Sequence, residues 1–122
     1  MFKINEISKL SKLILNISNI RQYINDLTTD LKKYNQKYEK DYNNIREFKN
    51  SEHMKKEGAV LFIEKSEEEL NDLYITRKNT EELIKLRKND YNNLLNSINN
   101  ILKDSNLEYN ENLNNIQLKK GE

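Results

Sequence analysis

His53 is the only histidine in the chain, and glutamates Glu52 and Glu57 stand near it in the stretch NSEHMKKEGAVLF at residues 50–62. A histidine beside carboxylates suits proton transfer near neutral pH or the holding of a divalent cation. Either chemistry needs several groups converging on one point. The chain has no cysteine and no second histidine, which removes thiolate metal sites, disulfides and Cys/His nucleophile pairs. Acidic neighbours are expected where 34% of residues are charged. His53 is therefore expected to be a solvent-exposed turn residue, with pH sensing open in principle. The other carboxylates fall on helix faces expected to be solvated. Nothing suggests a concave pocket that would perturb them. No catalytic, cofactor-binding or metal-ligating residue is assigned, no cofactor is expected, and the protein is not expected to be an enzyme.

The remaining chemistry-bearing residues are arginines and tyrosines. Arg77 and Arg87 occupy positions of an otherwise apolar seam described below. A charge there either fixes register at a cost in stability or lets only its stem pack while the head reaches water. The second is the expectation. Of the seven tyrosines, Tyr34, Tyr38 and Tyr91 fall in the seam and Tyr42 beside it. They are expected to pack there with the hydroxyl at the edge. Twenty-one basic and 20 acidic residues leave a net charge of +1, so there is no electrostatic case for nucleic acid or an anionic membrane.

The elements that position these residues follow from composition and period. The chain has 122 residues, no proline, and two glycines, Gly58 and Gly121. Nothing breaks a helix before residue 58. Asparagine, a poor helix former, occurs 21 times, so the helices must be held by packing rather than propensity. In the first half two seven-residue series run in parallel. They are Leu10, Ile17, Ile24, Leu31, Tyr38, Ile45 and Leu13, Ile20, Leu27, Tyr34, Asp41, Phe48. Only Asp41 is neither apolar nor aromatic. Such a repeat marks a helix packing along its length, here about 58 Å at 1.5 Å per residue.

The second half repeats as Ile63, Leu70, Arg77, Ile84, Tyr91, Ile98 and Ser66, Leu73, Thr80, Arg87, Leu94, Ile101, apolar at both ends and polar in the middle. The predicted fold is all-α: a long antiparallel helical hairpin, or two-helix coiled coil. Its first helix covers about 5–50, its turn about 51–58 and its second helix about 59–102. Reversal near residues 52–58 brings Ile17 close to Leu94 and Ile45 close to Ser66. The run GAVLFI at 58–63 resembles a strand, but no second such run is evident to pair with it, and it is assigned to the start of the second helix. Residues 103–122 are expected to be a disordered or frayed tail, a segment that orders on binding, or a short third helix started by the S-x-x-E spacing of Ser105 and Glu108.

Two places carry more apolar surface than a two-helix unit can bury. Ile7 and Ile14 flank the first seam, Leu95 and Leu102 flank the second, and the hairpin brings Ile14 near Leu95 and Ile7 near Leu102. That surplus asks for a third or fourth helix, from a second copy or from another protein. At the turn, Val60, Leu61 and Phe62 sit in a run that is apolar nearly all the way round. These seven residues are the predicted partner-binding positions.

The plan resembles the LXG-associated (Lap) proteins, small helical partners of LXG-domain toxins in Gram-positive type VII secretion. The similar portion is about residues 20–102: a first helix ending in REFKNSEHM, an apolar AVLFIEKSEEEL opening the second, then TRKNTEELIKLRKNDYNNLL. Two features depart from secreted hairpins of such systems. There is no tryptophan, hence no Trp-x-Gly turn. The expected aromatic with an acid four residues on is also missing after the second helix, because Tyr109 is followed there by Leu113. Phe48/Glu52 and Phe2/Glu6 have the spacing but lie elsewhere. The resemblance implies a targeting chaperone that binds the helical N-terminal domain of a toxin and presents it for export. The alternative is a self-assembling structural coiled coil, a homodimeric bundle or a phage or secretion-apparatus component.

No run reaches the eighteen or so apolar residues that cross a bilayer. The N-terminal MFKINEISKLSKLILNIS is amphipathic without the h-region of a signal peptide. The expected location is cytoplasmic, with export alongside a partner and without a cleavable signal left open.

Overall fold

The structure, a computed structural model, describes residues 3–120. Phe2, Gly121 and the last residue of the 103–122 segment lie outside the described residues, and so does the Phe2/Glu6 spacing. Two long helices, α1 (Ile4–Lys49) and α2 (Ala59–Leu102), form a hairpin and pack against each other. They are followed by two short strands, β1 (Leu107–Asn110) and β2 (Asn115–Leu118).

Local chemistry sets the helix boundaries. At its start the Lys3 carbonyl accepts from the Glu6 and Ile7 amides, and the Glu6 carboxylate reaches back to the Lys3 amide at 3.4 Å. Glu6 in the first turn and Arg46 and Lys49 in the last complement the helix dipole. Ser51 then ends α1 and opens a short 3₁₀ turn, Glu52–Lys55: its hydroxyl donates to the Phe48 carbonyl at 2.7 Å and accepts from the His53 amide at 3.2 Å. Gly58 has φ +82°, a conformation that disfavours any Cβ, and its carbonyl accepts from the Phe62 amide at 3.0 Å as α2 begins. GAVLFI is helical from Ala59 onward, as expected.

All members of the four seven-residue series are buried or half-buried, including Asp41, Ser66, Thr80, Arg77 and Arg87. Cross-helix neighbours follow the expected reversal: Phe48 meets Phe62 with ring centroids 4.8 Å apart, and Tyr38 meets Tyr74 at 6.3 Å.

The all-α helical hairpin is as expected, but residues 107–118 form a small two-strand sheet where a tail or third helix was expected. β1 and β2 pair antiparallel, Leu107 opposite Leu118, Glu108 opposite Gln117, Tyr109 opposite Ile116 and Asn110 opposite Asn115. The period-2 pattern puts Leu107, Tyr109, Ile116 and Leu118 on one face and leaves the other polar, where Gln117 bridges Glu108 and Asn110 at 3.0 Å each. Asparagine, which weakens a helix, serves the turn. The Asn110 side chain accepts from the Leu113 amide at 3.1 Å, and Asn114 takes φ +50°, a left-handed conformation that asparagine tolerates. Ser105 is no helix cap. Its hydroxyl donates to the Leu102 carbonyl at 2.7 Å and accepts from the Leu107 amide at 3.0 Å, turning the chain from α2 into β1.

The chain divides into two compact units, one of Met1–Asn25 with Lys85–Glu122 and one of Asp26–Ile84. The first has the larger core: Leu10, Ile17, Ile98 and Leu102, with Ile17 and Ile98 fully buried. In the second, Ala59, Ile63 and Ile84 are buried.

Candidate protein-binding surfaces

In the first unit the apolar stripe predicted to need another helix has an occupant from its own chain. Leu107, Tyr109 and Ile116 of the β-hairpin pack on the core cluster, together with the half-buried Ile14 and Leu95. Leu102 is 2% exposed. Of the four predicted residues at this place, only Ile7 stays open, at 53% exposed. The surplus width is real; what covers it is a pair of strands. The signal for them was present in LEYNENLNNIQL, two alternating apolar pairs flanking an asparagine-rich turn. Ile4 and Leu15 are also exposed on α1, on its side turned away from the seam.

One polar cluster ties the β-hairpin to the helices. The Tyr91 hydroxyl accepts from Arg21 Nε at 3.3 Å and Nη2 at 3.2 Å, and donates to Glu111 Oε2 at 3.0 Å. Arg21 Nη2 also donates to the Glu111 carbonyl, and the guanidinium lies 5.7 Å from the Tyr91 ring centroid. Tyr91 thus packs in the seam through its ring and works at the edge through its hydroxyl. Beside this cluster the Tyr109 hydroxyl donates to the Asn114 side chain. Burial raises the Tyr109 phenol above its ordinary 10.0, against the downward pull of Arg21, with Tyr91 and Glu111 adding to the rise.

In the second unit the run after Gly58 is open: Val60 is 64%, Leu61 70% and Phe62 53% exposed. A groove of about 350 Å³ runs beside it, lined by Asp41, Ile45, Phe48, Phe62 and Ser66 among others. Its cause is legible in the seam. Asp41 and Ser66 are the short polar interruptions of the two series, and they leave unfilled the space that apolar side chains fill elsewhere. Asp41 instead pairs with Lys37 at 2.9 Å. His53 is exposed and stacks on Phe48 at 5.8 Å, extending the aromatic surface.

Further along the same unit, Arg77 neither pairs with a carboxylate nor simply reaches water. Its guanidinium stacks on Tyr38 at 4.6 Å and on Tyr74 at 5.3 Å, and its Nε is buried with no hydrogen-bond partner. In the first unit Arg87 bonds Asp90 at 3.1 Å, again with Nε buried and unpartnered. Each arginine therefore buries its inner nitrogen in the seam, while the Arg87 head pairs with Asp90 and the Arg77 guanidinium lies against tyrosine faces.

No group of three or more histidine, cysteine or acidic side chains able to hold a metal occurs among the described residues, and no described helix is long and apolar enough to cross a membrane. No family model matches the sequence, no curated protein matches it, and no solved structure matches the fold.

Proposed function

We propose that this protein is a non-enzymatic helical adaptor that binds the helical N-terminal domain of an LXG-type toxin and presents it for type VII export. The observation that carries the reading is the open run Val60, Leu61 and Phe62, each more than half exposed beside a groove that Asp41 and Ser66 leave unfilled. Large apolar side chains left exposed together mark association sites. An amphipathic helix laid along the run would seat its apolar side chains in the groove, as helix-in-groove partners do. The polar balance of the rest of the surface suits an adaptor that holds a protein rather than nucleic acid or a bilayer. Such a protein works in the cytoplasm, where the toxin is made.

Co-expression with an LXG N-terminal domain from the same genome tests this. A stable heterodimer is expected. Leu61→Gln, at an exposed helix position, should weaken it about tenfold while leaving the circular dichroism spectrum unchanged. A chain that folds cooperatively as a monomer and recovers no LXG domain sinks the adaptor reading. A tight homodimer by light scattering, indifferent to the toxin domain, establishes the structural coiled coil instead.

A further inference from the structure

We infer that Arg77 is a second docking point, on the opposite edge of the same unit from the Phe62 groove, and that it receives a carboxylate from a helix of the partner domain. This rests on the adaptor reading.

The first observation is a frame of rings around a cation. In the unit Asp26–Ile84, Tyr38 and Tyr42 of α1 stack with centroids 6.4 Å apart, and Tyr38 meets Tyr74 of α2 at 6.3 Å. The Arg77 guanidinium lies against Tyr38 and Tyr74. Tyr42 is 50% and Tyr74 40% exposed, so two of the three rings still offer surface to a partner. Arginine and tyrosine are among the side chains in which the binding energy of protein interfaces concentrates.

The second observation is charge. Glu81 stands four residues beyond Arg77, within helical reach, but pairs with Lys78 at 3.5 Å. Across the seam Asp41 pairs with Lys37 at 2.9 Å. Arg77 is left with tyrosine faces and a buried, unpartnered Nε. Nε is the one nitrogen of this side chain shut away from water without a partner, so the Nη pair is the end that an incoming group meets. The unit thus gives up a hydrogen bond at Nε and holds a planar, charged fork between rings. A fork held in this way suits a carboxylate, which takes two parallel N–H bonds end-on. A phosphate would call for several cations together. Lys78, next in the chain, is already paired, and a net charge of +1 supplies no broad field for a polyanion.

The third observation is position. Tyr42 and Tyr74 flank the seam series of Tyr38 and Arg77. The groove is flanked instead by Lys37, Asn44 and Glu69, beside the series of Asp41 and Ser66. These are opposite edges of the seam. One helix cannot fill both, so the carboxylate comes from a different helix of the partner domain than the one seated beside Phe62. A pair closed over by tyrosine rings is screened little by salt.

Titration of the full chain with the LXG domain tests this. Arg77→Met keeps a stem of similar length and removes the charge. It should weaken binding at least about tenfold, with the melting temperature unchanged or raised. Arg77→Glu sets a like charge against the partner's carboxylate and should bind about tenfold more weakly again. Leu61 lies about 24 Å away along α2, so the losses from Leu61→Gln and Arg77→Met should multiply in the double variant. Wild-type affinity in Arg77→Met overturns the inference, and a loss in Leu61→Gln alone then leaves the adaptor reading standing. Equal affinity of Arg77→Glu and Arg77→Met also overturns it, because the loss would be one of packing rather than charge. So does a loss in Arg77→Met that comes with a lower melting temperature, since the role is then structural. Losses that fail to multiply overturn the separate docking point. Absence of LXG binding by the unaltered chain overturns the adaptor reading and this inference with it.

Discussion

At the scale of single residues, the seam arginines and the hairpin tyrosine show how context sets the cost of a polar group. Arg77 gains from two tyrosine faces, worth about 0.5–1 kcal/mol where water is near. It also buries an unpartnered Nε, which costs about 1–3 kcal/mol. The balance favours an apolar replacement of similar length: Arg77→Met should leave the melting temperature unchanged or raise it. Arg77→Ala, which also loses the stacked stem, should lower it, and thermal denaturation of both variants decides the matter. Tyr109 makes a pH prediction with a definite sign. Its folded value lies above 10.0, so the folded state holds the phenol proton more tightly than the unfolded chain does. Its contribution is fully present below about pH 10 and is lost as pH rises through the raised folded value. Alkaline titration should therefore loosen the β-hairpin, and Tyr109→Phe should remove that component. A tyrosine fluorescence titration of the two proteins gives the comparison.

At the scale of elements, the helices rest on their seam and the turn rests on one backbone conformation. Ile17 is fully buried, and truncating it to alanine should cost about 2–5 kcal/mol in urea unfolding. Gly58 stands at φ +82° with nothing within 4 Å of where a Cβ would go. Gly58→Ala should thus cost about 1 kcal/mol through backbone strain alone, with no steric rearrangement. A loss as large as that of Ile17→Ala would mean that the turn does more than reverse the chain. The long helices and their boundaries were legible in the sequence because a seven-residue period, one internal glycine and no proline act locally and repeatedly. The strands were not read, although their alternation was there. Four residues of period 2 are too few to outweigh the poor propensities of an asparagine-rich segment, and their pairing gains its worth from the helices beneath them.

At the scale of the whole molecule, charge is balanced and apolar surface is not. With 21 basic and 20 acidic residues and ion pairs that are largely solvent-exposed, partner association should depend little on salt. Affinity for an LXG domain is expected to change less than about threefold between low salt and about 1 M salt, read by titration calorimetry. A steep loss would point to ionic docking and away from Val60, Leu61 and Phe62. Of the seven residues named from sequence, these three and Ile7 remain open, whereas Ile14, Leu95 and Leu102 are covered from within.

The sequence alone determined which residues face the seam, where the chain reverses, and that more apolar surface exists than two helices can share. These follow from period and backbone permissiveness, which are properties of neighbouring residues. Only the tertiary structure decided what meets that surplus. The fate of Leu102 depends on whether Leu107, Tyr109 and Ile116 return across α2 to lie on it, and the worth of Arg77 depends on Tyr38 and Tyr74 converging on its guanidinium. Contacts between residues distant in the chain have no local signature, and they turned an apparent vacancy for a third helix into a covered face.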